Sequence, residues 1–483
     1  MNVVDAILFQ CKLNPLTPTI CAPGSETSSV NYGTLGTLIH NAARAALRAG
    51  IAPGQVVAIF VRDAILHASL SYGLMQMGAV VVSLLSPRVP SAIRADVIVT
   101  DVPQRFSDPA TILAVDHSWI AGDGSPPDIS PGNDDDRCRI VLTTGSTGEA
   151  KCVEYSHRML AARVNYYTYS KGPRFARCSR YFCDIGIGTT AGFHFATSLL
   201  SRGATAYFLG DDPADILQMF DLHKIQGMAT SPYGLGEFLK YFEGDSAFEV
   251  AFDHIICQGA LLSPTLSQRA RRRMCQNLYS SYGSTEAVTT AFGPASILES
   301  IPGAVGYVLP GVTVEATDES GEALPVGRDG ELRIRSQVMV TQYLGDPEAS
   351  RTFFRDGYFY SGDLGHVTAE GILVITGRKK TAINVGGDTI SPERVEAAII
   401  AFEGVEDAGV FAVDNELGIT ELSALIVTRS PVDEASLRAH CAGRLPPSCV
   451  PARFIVVDAL PRVGQGKIDR SRLPEVAKTK AGL

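Results

Sequence analysis

Residues 140–151 read IVLTTGSTGEAK, a β-branched run that stops at a hydroxyl- and glycine-rich loop closing on Lys151. The apolar run reads as a buried strand. Glycines just beyond it let backbone N–H groups turn toward an anion, and the hydroxyls of Thr143, Thr144, Ser146 and Thr147 add donors. A phosphate cradle at the end of a buried strand calls for an α/β fold; an ordinary hydroxyl-rich turn is the competing reading of the loop alone. Lys151 follows Gly148 by three residues, so the spacing is not G-x-x-x-x-G-K-[ST], which disfavours a phosphate-loop kinase or motor ATPase.

The chain ahead of this loop agrees. Between Tyr32 and Leu85, helical spacing (Leu35, Leu38, Ile39, Ala42, Ala43, Ala46, Leu47) gives way to a Pro53–Gly54 turn and the run VVAIF. A second helical stretch, Leu66–Met77, leads into a buried strand at Ala79–Leu85. Segment 86–137, rich in Pro, Asp and Ser, reads as irregular surface. After about residue 300, GVTVEATD, GELRIRS and GILVIT suggest a compact antiparallel section. From near Gly377, two helical runs (392–402 and 434–444) flank the strands Gly409–Val413 and Leu422–Val427, which makes a small α+β unit.

At 483 residues the chain exceeds one core, which stops growing near roughly 250–300 residues, so at least two domains are expected. Hydrophobic residues at 45% and charged ones at 19% exclude a disordered or coiled-coil chain. A net charge of −9 disfavours nucleic acid as a partner. The cluster Arg269 with Arg271–Arg273 reads as a solvated helix face. The ten cysteines show neither C-x-x-C nor metal-ligand spacing to His. No run approaches the roughly 20 apolar residues of a membrane span, and Asp5 interrupts any signal peptide, so a cytoplasmic protein is expected.

Four more clusters follow the loop: SSYGSTEAV at 280–288, GYFYSGDLG at 357–365, GRKKTAINVGGDTISPERVE at 377–396 and LPRVGQGKIDR at 460–470. Singly, Glu286 reads as a solvated helix-start carboxylate, Asp363 as a turn residue, Arg378 as a surface charge and Lys467 as a tail lysine. In this order they resemble the adenylate-forming superfamily of acyl-CoA synthetases, luciferases and peptide-synthetase adenylation domains. The resemblance runs from about Tyr32 to Leu473. TTGSTGEAK is similar to the family's phosphate loop, SYGSTE to Y-G-x-T-E, YSGDLG to its T-G-D motif, GRKK to its hinge and GQGKIDR to N-G-K-[IV]-D-R.

The resemblance implies a large N-terminal domain, residues 1–379, of α/β subdomains plus a β-rich section, and a small mobile α+β C-terminal domain, residues 380–483, turning about Lys380. It implies that a carboxylate attacks the α-phosphate of Mg-ATP to give an acyl-adenylate and pyrophosphate, after which a thiol displaces AMP. Lys467 would stabilise the developing charge and Thr285 would touch the α-phosphate. Thr143, Thr144, Gly145, Ser146, Thr147, Gly148 and Lys151 would hold the phosphates, with Ser146, Thr147 and Lys151 on the departing pyrophosphate. Glu286 would hold Mg²⁺, Tyr282 would stack on adenine, and Asp363 with Arg378 would fix the ribose hydroxyls. CoA or the phosphopantetheine of a carrier protein would supply the thiol.

Val463 and Gln465 stand where the family usually has Thr and Ser or Asn, and Lys380 stands where it often has Asp. For the acid, the stretch DIGIGTTAGFHF at 184–195, read as a strand, and Thr230, Ile256, Gln258, Gly259 and Ser281 match the family's substrate pocket. Asp184 could bind a substrate ammonium or serve the fold. Only ten residues follow Leu473, so the acceptor is expected on another molecule. That leaves an acyl-CoA synthetase, or a stand-alone enzyme loading an amino or aryl acid onto a separate acyl or peptidyl carrier protein. An inactive nucleotide-binding regulator is the remaining option; loss of Lys467, Glu286 or Asp363 would favour it, and all three are present.

Overall fold

The computed structural model describes residues 2–23, 28–129, 132–143, 151–209, 213–243, 252–385, 388–414, 420–463 and 466–481. Val56–Phe60, Val80–Ser83 and Val97–Thr100 are β-branched strands buried almost throughout, and they pair in parallel. Burial on both faces explains why they read as unbroken apolar runs. With Thr111–Ala114, Arg137–Leu142 and Cys152–Ser156 they complete a six-stranded sheet. Segment 86–137 is therefore not irregular surface. Its Pro and Asp residues punctuate two strands of this sheet too short to show a period, one buried and one at the sheet edge.

A second, larger sheet changes character along its width. Pro18–Cys21, Thr205–Phe208, Arg180–Cys183, Gly227–Thr230, His254–Gln258 and Leu278–Ser284 lie side by side in parallel. From Val288–Pro294 onward the neighbours are antiparallel, through Ala304–Val308, Ile372–Arg378, Tyr358–Val367, Gly330–Ser336 and Val312–Thr317. The antiparallel section expected after residue 300 is thus the continuation of an α/β sheet and begins at 288. Residues 184–195 are not a strand: the strand ends at Cys183, and a helix, Thr190–Leu200, starts from Thr189, whose side chain caps it by accepting from Gly192 N–H.

The small C-terminal unit is a three-stranded sheet, Val405–Asp414, Thr420–Thr428 and Arg453–Val456, with helices Pro392–Ile400, Glu434–Ala442 and Leu473–Ala481. Val395, Ile399, Val410, Leu422, Ala424 and Leu437 form its core. The helix Pro392–Ile400 starts as the sequence dictates, with Ser391 capping Arg394 N–H and Pro392 at the first position. The fold is mixed α/β with a large N-terminal and a small C-terminal domain. Among the described residues no helix is long and apolar enough to cross a membrane.

Candidate active site

The carboxyl ends of parallel strands are where α/β sheets bind ligands. Here that edge carries Asp184, Thr230, Gln258 and Ser281 in lateral order, and the turn Thr285–Ala287 joins the last parallel strand to the first antiparallel one. Arg163, fully buried on the helix His157–Ser170, anchors this turn by donating to the carbonyls of Thr285, Glu286 and Val338. Tyr155 Oη adds a 3.2 Å bond to the Thr285 carbonyl. The clamp holds a strained backbone: Val288, just past the turn, has φ +63°, a conformation a β-branched residue rarely adopts. No sequence motif marks Arg163; only the fold shows its role.

The clamp leaves the side chains of the turn free for chemistry. Glu286 is buried, not solvated, and one carboxylate oxygen accepts from Tyr343 Oη at 2.8 Å. The carboxylate that accepts from Tyr282 Oη is Asp363, and Arg378 Nε donates to its other oxygen at 2.5 Å. Asp363 lies within the strand Tyr358–Val367, not in a turn, directly opposite Arg378 in the antiparallel ladder. That register is what pairs the two charges. The Tyr282 hydroxyl is held far above its ordinary pKa, mostly by burial and then by the adjoining carboxylate.

Thr143 N–H donates to the Lys151 carbonyl at 2.8 Å, so the hairpin Arg137–Ser156 closes the base of the glycine loop. Thr144, Gly145, Ser146, Thr147 and Gly148 lie outside the described residues. The Lys151 ammonium sits 3.4 Å from the centroid of the Phe353 ring and 4.8 Å from that of Tyr343. Burial and then Lys380 lower its pKa, while Glu286 opposes them. Lys151, Lys380, Tyr343 and Glu286 therefore share one electrostatic neighbourhood.

Lys467 joins it from the small domain, on a two-stranded hairpin, Arg462–Val463 with Lys467–Ile468. Gly466, at φ +81°, lets that hairpin press on Tyr233 of the large domain, where a Cβ would come within 2.5 Å of the tyrosine Cβ. Burial lowers the Lys467 pKa, Arg378 adds to this, and Asp363 and Glu286 pull the other way. The hairpin is tied down by Arg470, whose guanidinium reaches Glu396 and Glu393, while Glu393 also accepts from Thr381 beside the Lys380 turn.

Toward the acid pocket, Thr230 Oγ1 donates to Asp184 at 2.6 Å, and burial pushes the Asp184 pKa up to about 7. Gly234 is required beside it, since a Cβ there would meet the carboxylate at 1.8 Å. A cavity of about 240 Å³ opens next to Asp184, lined also by His67, Leu85, Ile187 and Phe208. Ile256 is core, and Gly259 turns the chain at φ +94°. Gln258 and Ser281 instead share a partner absent from every motif, the buried Lys171.

A family model described as AMP-binding enzyme matches residues 10–344, and one described as AMP-binding enzyme C-terminal domain matches 394–467. The chain belongs to the AMP-binding enzyme family. A 3-hydroxybenzoate–CoA ligase of Aromatoleum sp. (strain CIB) is 26% identical, covering 99% of this chain and 97% of that one. A fatty acid–[acyl-carrier-protein] ligase, ScoC, of Streptomyces coeruleorubidus is 26% identical over 98% and 96%. The anthranilate CoA ligase AuaEII, solved with anthranoyl-AMP, shares the fold with a TM-score of 0.86 at 19% identity, covering 100% of this chain and 98% of that one. As a family member the protein is an AMP-forming acid–thiol ligase, which activates a carboxylic acid with ATP and transfers the acyl group to a thiol.

Proposed function

We propose that the protein activates a small carboxylic acid at the carboxyl edge of the large sheet and passes the acyl group to CoA. The observation that carries this is the convergence of Lys467 with Asp363, Arg378 and Glu286, contributed by both domains. Asp363 retains lone pairs beyond those taken by Tyr282 and Arg378, so it can accept both ribose hydroxyls, and Tyr282 offers a ring face to adenine. Thr143 to Gly148 and Lys151 would cradle the phosphates, and Thr285 would touch the α-phosphate. A single buried carboxylate suits Mg²⁺, which takes one or two carboxylates and fills its remaining positions with phosphate oxygens and water, so Glu286 would hold it. Bound there, the ion would neutralise phosphate charge.

Negative charge grows on the phosphoryl oxygens as the acid attacks, and a desolvated ammonium fixed beside them costs no reorganisation at that moment. Lys467 supplies it. The small domain, residues 380–483, then turns about Lys380 to admit the thiol. Acid-stimulated ATP–pyrophosphate exchange over a panel of aryl, fatty and amino acids tests the reading: exchange with at least one acid supports it, and no exchange with any rejects it. The ScoC likeness favours a second acceptor, a carrier protein. Adding CoA alone to preformed acyl-adenylate separates the two; rapid AMP release selects CoA, and inertness selects the carrier.

A further inference from the structure

Lys171 sits at the junction of the helices His157–Ser170 and Gly172–Arg177, and 2% of it is exposed. Its ammonium donates to Ser281 Oγ, to Thr289 Oγ1 at 3.2 Å and to Gln258 Oε1 at 3.5 Å. The rings of Tyr167 and Phe292 lie 4.7 and 5.6 Å away. Every one of these partners is neutral. Burial is what moves its pKa, down to about 7, and among the described residues no charged neighbour offsets the buried ammonium.

A buried cation without a counter-charge costs folding free energy, so its presence points to something other than stability. Its position says what. Ser281 immediately precedes Tyr282, whose hydroxyl is bonded to Asp363, and Gln258 ends the neighbouring strand. Lys171 thus lies beneath the carboxyl edge of the large sheet, bonded to the residue that precedes Tyr282. Because Ser281 accepts from Lys171, its own proton is turned away from the lysine and is available to a further acceptor.

We infer that Lys171 is a specificity-determining residue, and that the acid activated here carries a second oxygen acid on its acyl group, a carboxylate or a phenol, which the Lys171–Ser281 pair receives. That group supplies the missing negative charge and displaces Gln258, the longest of the three contacts. Asp184, a buried carboxylate farther along the same sheet edge, is engaged by Thr230, while the Lys171 ammonium bonds to Ser281, Thr289 and Gln258. The inference rests on the acid-activating reading above.

The experiment compares kcat/KM in ATP–pyrophosphate exchange for matched acids: 3-hydroxybenzoate with 3-methylbenzoate, isophthalate with benzoate, and adipate with hexanoate. The wild-type enzyme is expected to favour the oxygen-bearing member of at least one pair by about 100-fold or more, since a site built for hydrogen bonding rejects an analogue that leaves it unpaired. Lys171→Met should shrink that ratio to within about threefold of unity. The pair that responds tells carboxylate from phenol. Lys171→Gln gives the same readout should the methionine variant misfold. Thermal shift adds a binding measure: the preferred acid should raise the wild-type melting temperature more than that of Lys171→Met. A wild type that favours the apolar members throughout, or a variant that keeps the preference, overturns the inference. Absence of exchange with every acid tested instead rejects the acid-activating reading itself, and this inference with it.

Discussion

Two cations in this molecule, the half-buried Arg470 and the buried Lys171, are treated in opposite ways. In the small domain, Arg470 meets Glu396 with both terminal guanidinium nitrogens and also Glu393, and Glu396 in turn accepts from Val410 N–H. That network is closed, since its charges and most of its lone pairs are used within the chain. In the large domain, Lys171 has three hydrogen bonds and no opposite charge among the described residues. A closed network serves the fold, whereas an open one has capacity left over for a ligand. Lys467 sits on the hairpin that the closed network holds, in the electrostatic reach of Arg378, Asp363 and Glu286.

The sharpest break removes one side of the closed network. Glu396→Ala should destabilise the protein by about 3–5 kcal/mol, because it removes the buried carboxylate that takes both terminal nitrogens of the half-buried Arg470. Chemical denaturation of the full chain measures this, and a loss below about 1 kcal/mol would show that the pair is merely a surface contact. Lys467→Ala should slow exchange by about 10²–10³-fold while the melting temperature holds, the pattern of a group that acts on the transition state. Exchange within threefold of wild type would remove Lys467 from that role.

A smaller effect tests the pivot. Lys380→Pro fixes φ near −65° and should slow thioester formation at least about tenfold more than exchange. The Lys380 charge also acts on Lys151, with both ammonium groups near the Phe353 ring, so Lys380→Gln is the control that removes charge without locking the backbone. Equal loss of both half-reactions in the proline variant alone would reject rotation about this point.

The subtlest outcome concerns the open cation. Lys171→Met should leave stability within about 1 kcal/mol of wild type or raise it, in contrast to Glu396→Ala. The pH dependence has a definite sign. The Lys171 pKa falls from 10.5 to about 7 on folding, so between those values the unfolded chain binds more protons than the native one. Wild-type stability relative to Lys171→Met should therefore be lowest below pH 7, rise from about 7 to 10.5, and level off above. Melting curves of both proteins across that range check this; a flat difference would mean that the ammonium is already neutralised.

Much of the cluster that the fold gathers around Lys467 could be read as motifs because its residues lie in short contiguous stretches: Tyr282 and Glu286 sit four residues apart, and Gly466 and Lys467 are adjacent. The errors fell where local pattern is weak. Val97–Thr100 and Thr111–Ala114 were hidden by the Pro and Asp residues around them, and Asp363 followed a Gly at φ +74° that imitates a turn inside a strand. The apolar alternation in 184–195 fits a strand as well as a buried helix start, and only the sheet's edge decides between them.

Sequence alone determined the α/β class, the order of the motifs and the family, since period, glycine placement and residue type are local properties of the chain. The tertiary structure alone decided that Arg163 clamps Thr285 and Glu286, more than 120 residues away, and that Lys171 lies beneath Ser281, 110 residues on. The physical reason is that burial and charge compensation depend on what surrounds a side chain. A lysine in the sequence is a solvated charge until folding takes away its water and leaves it with two hydroxyls and an amide.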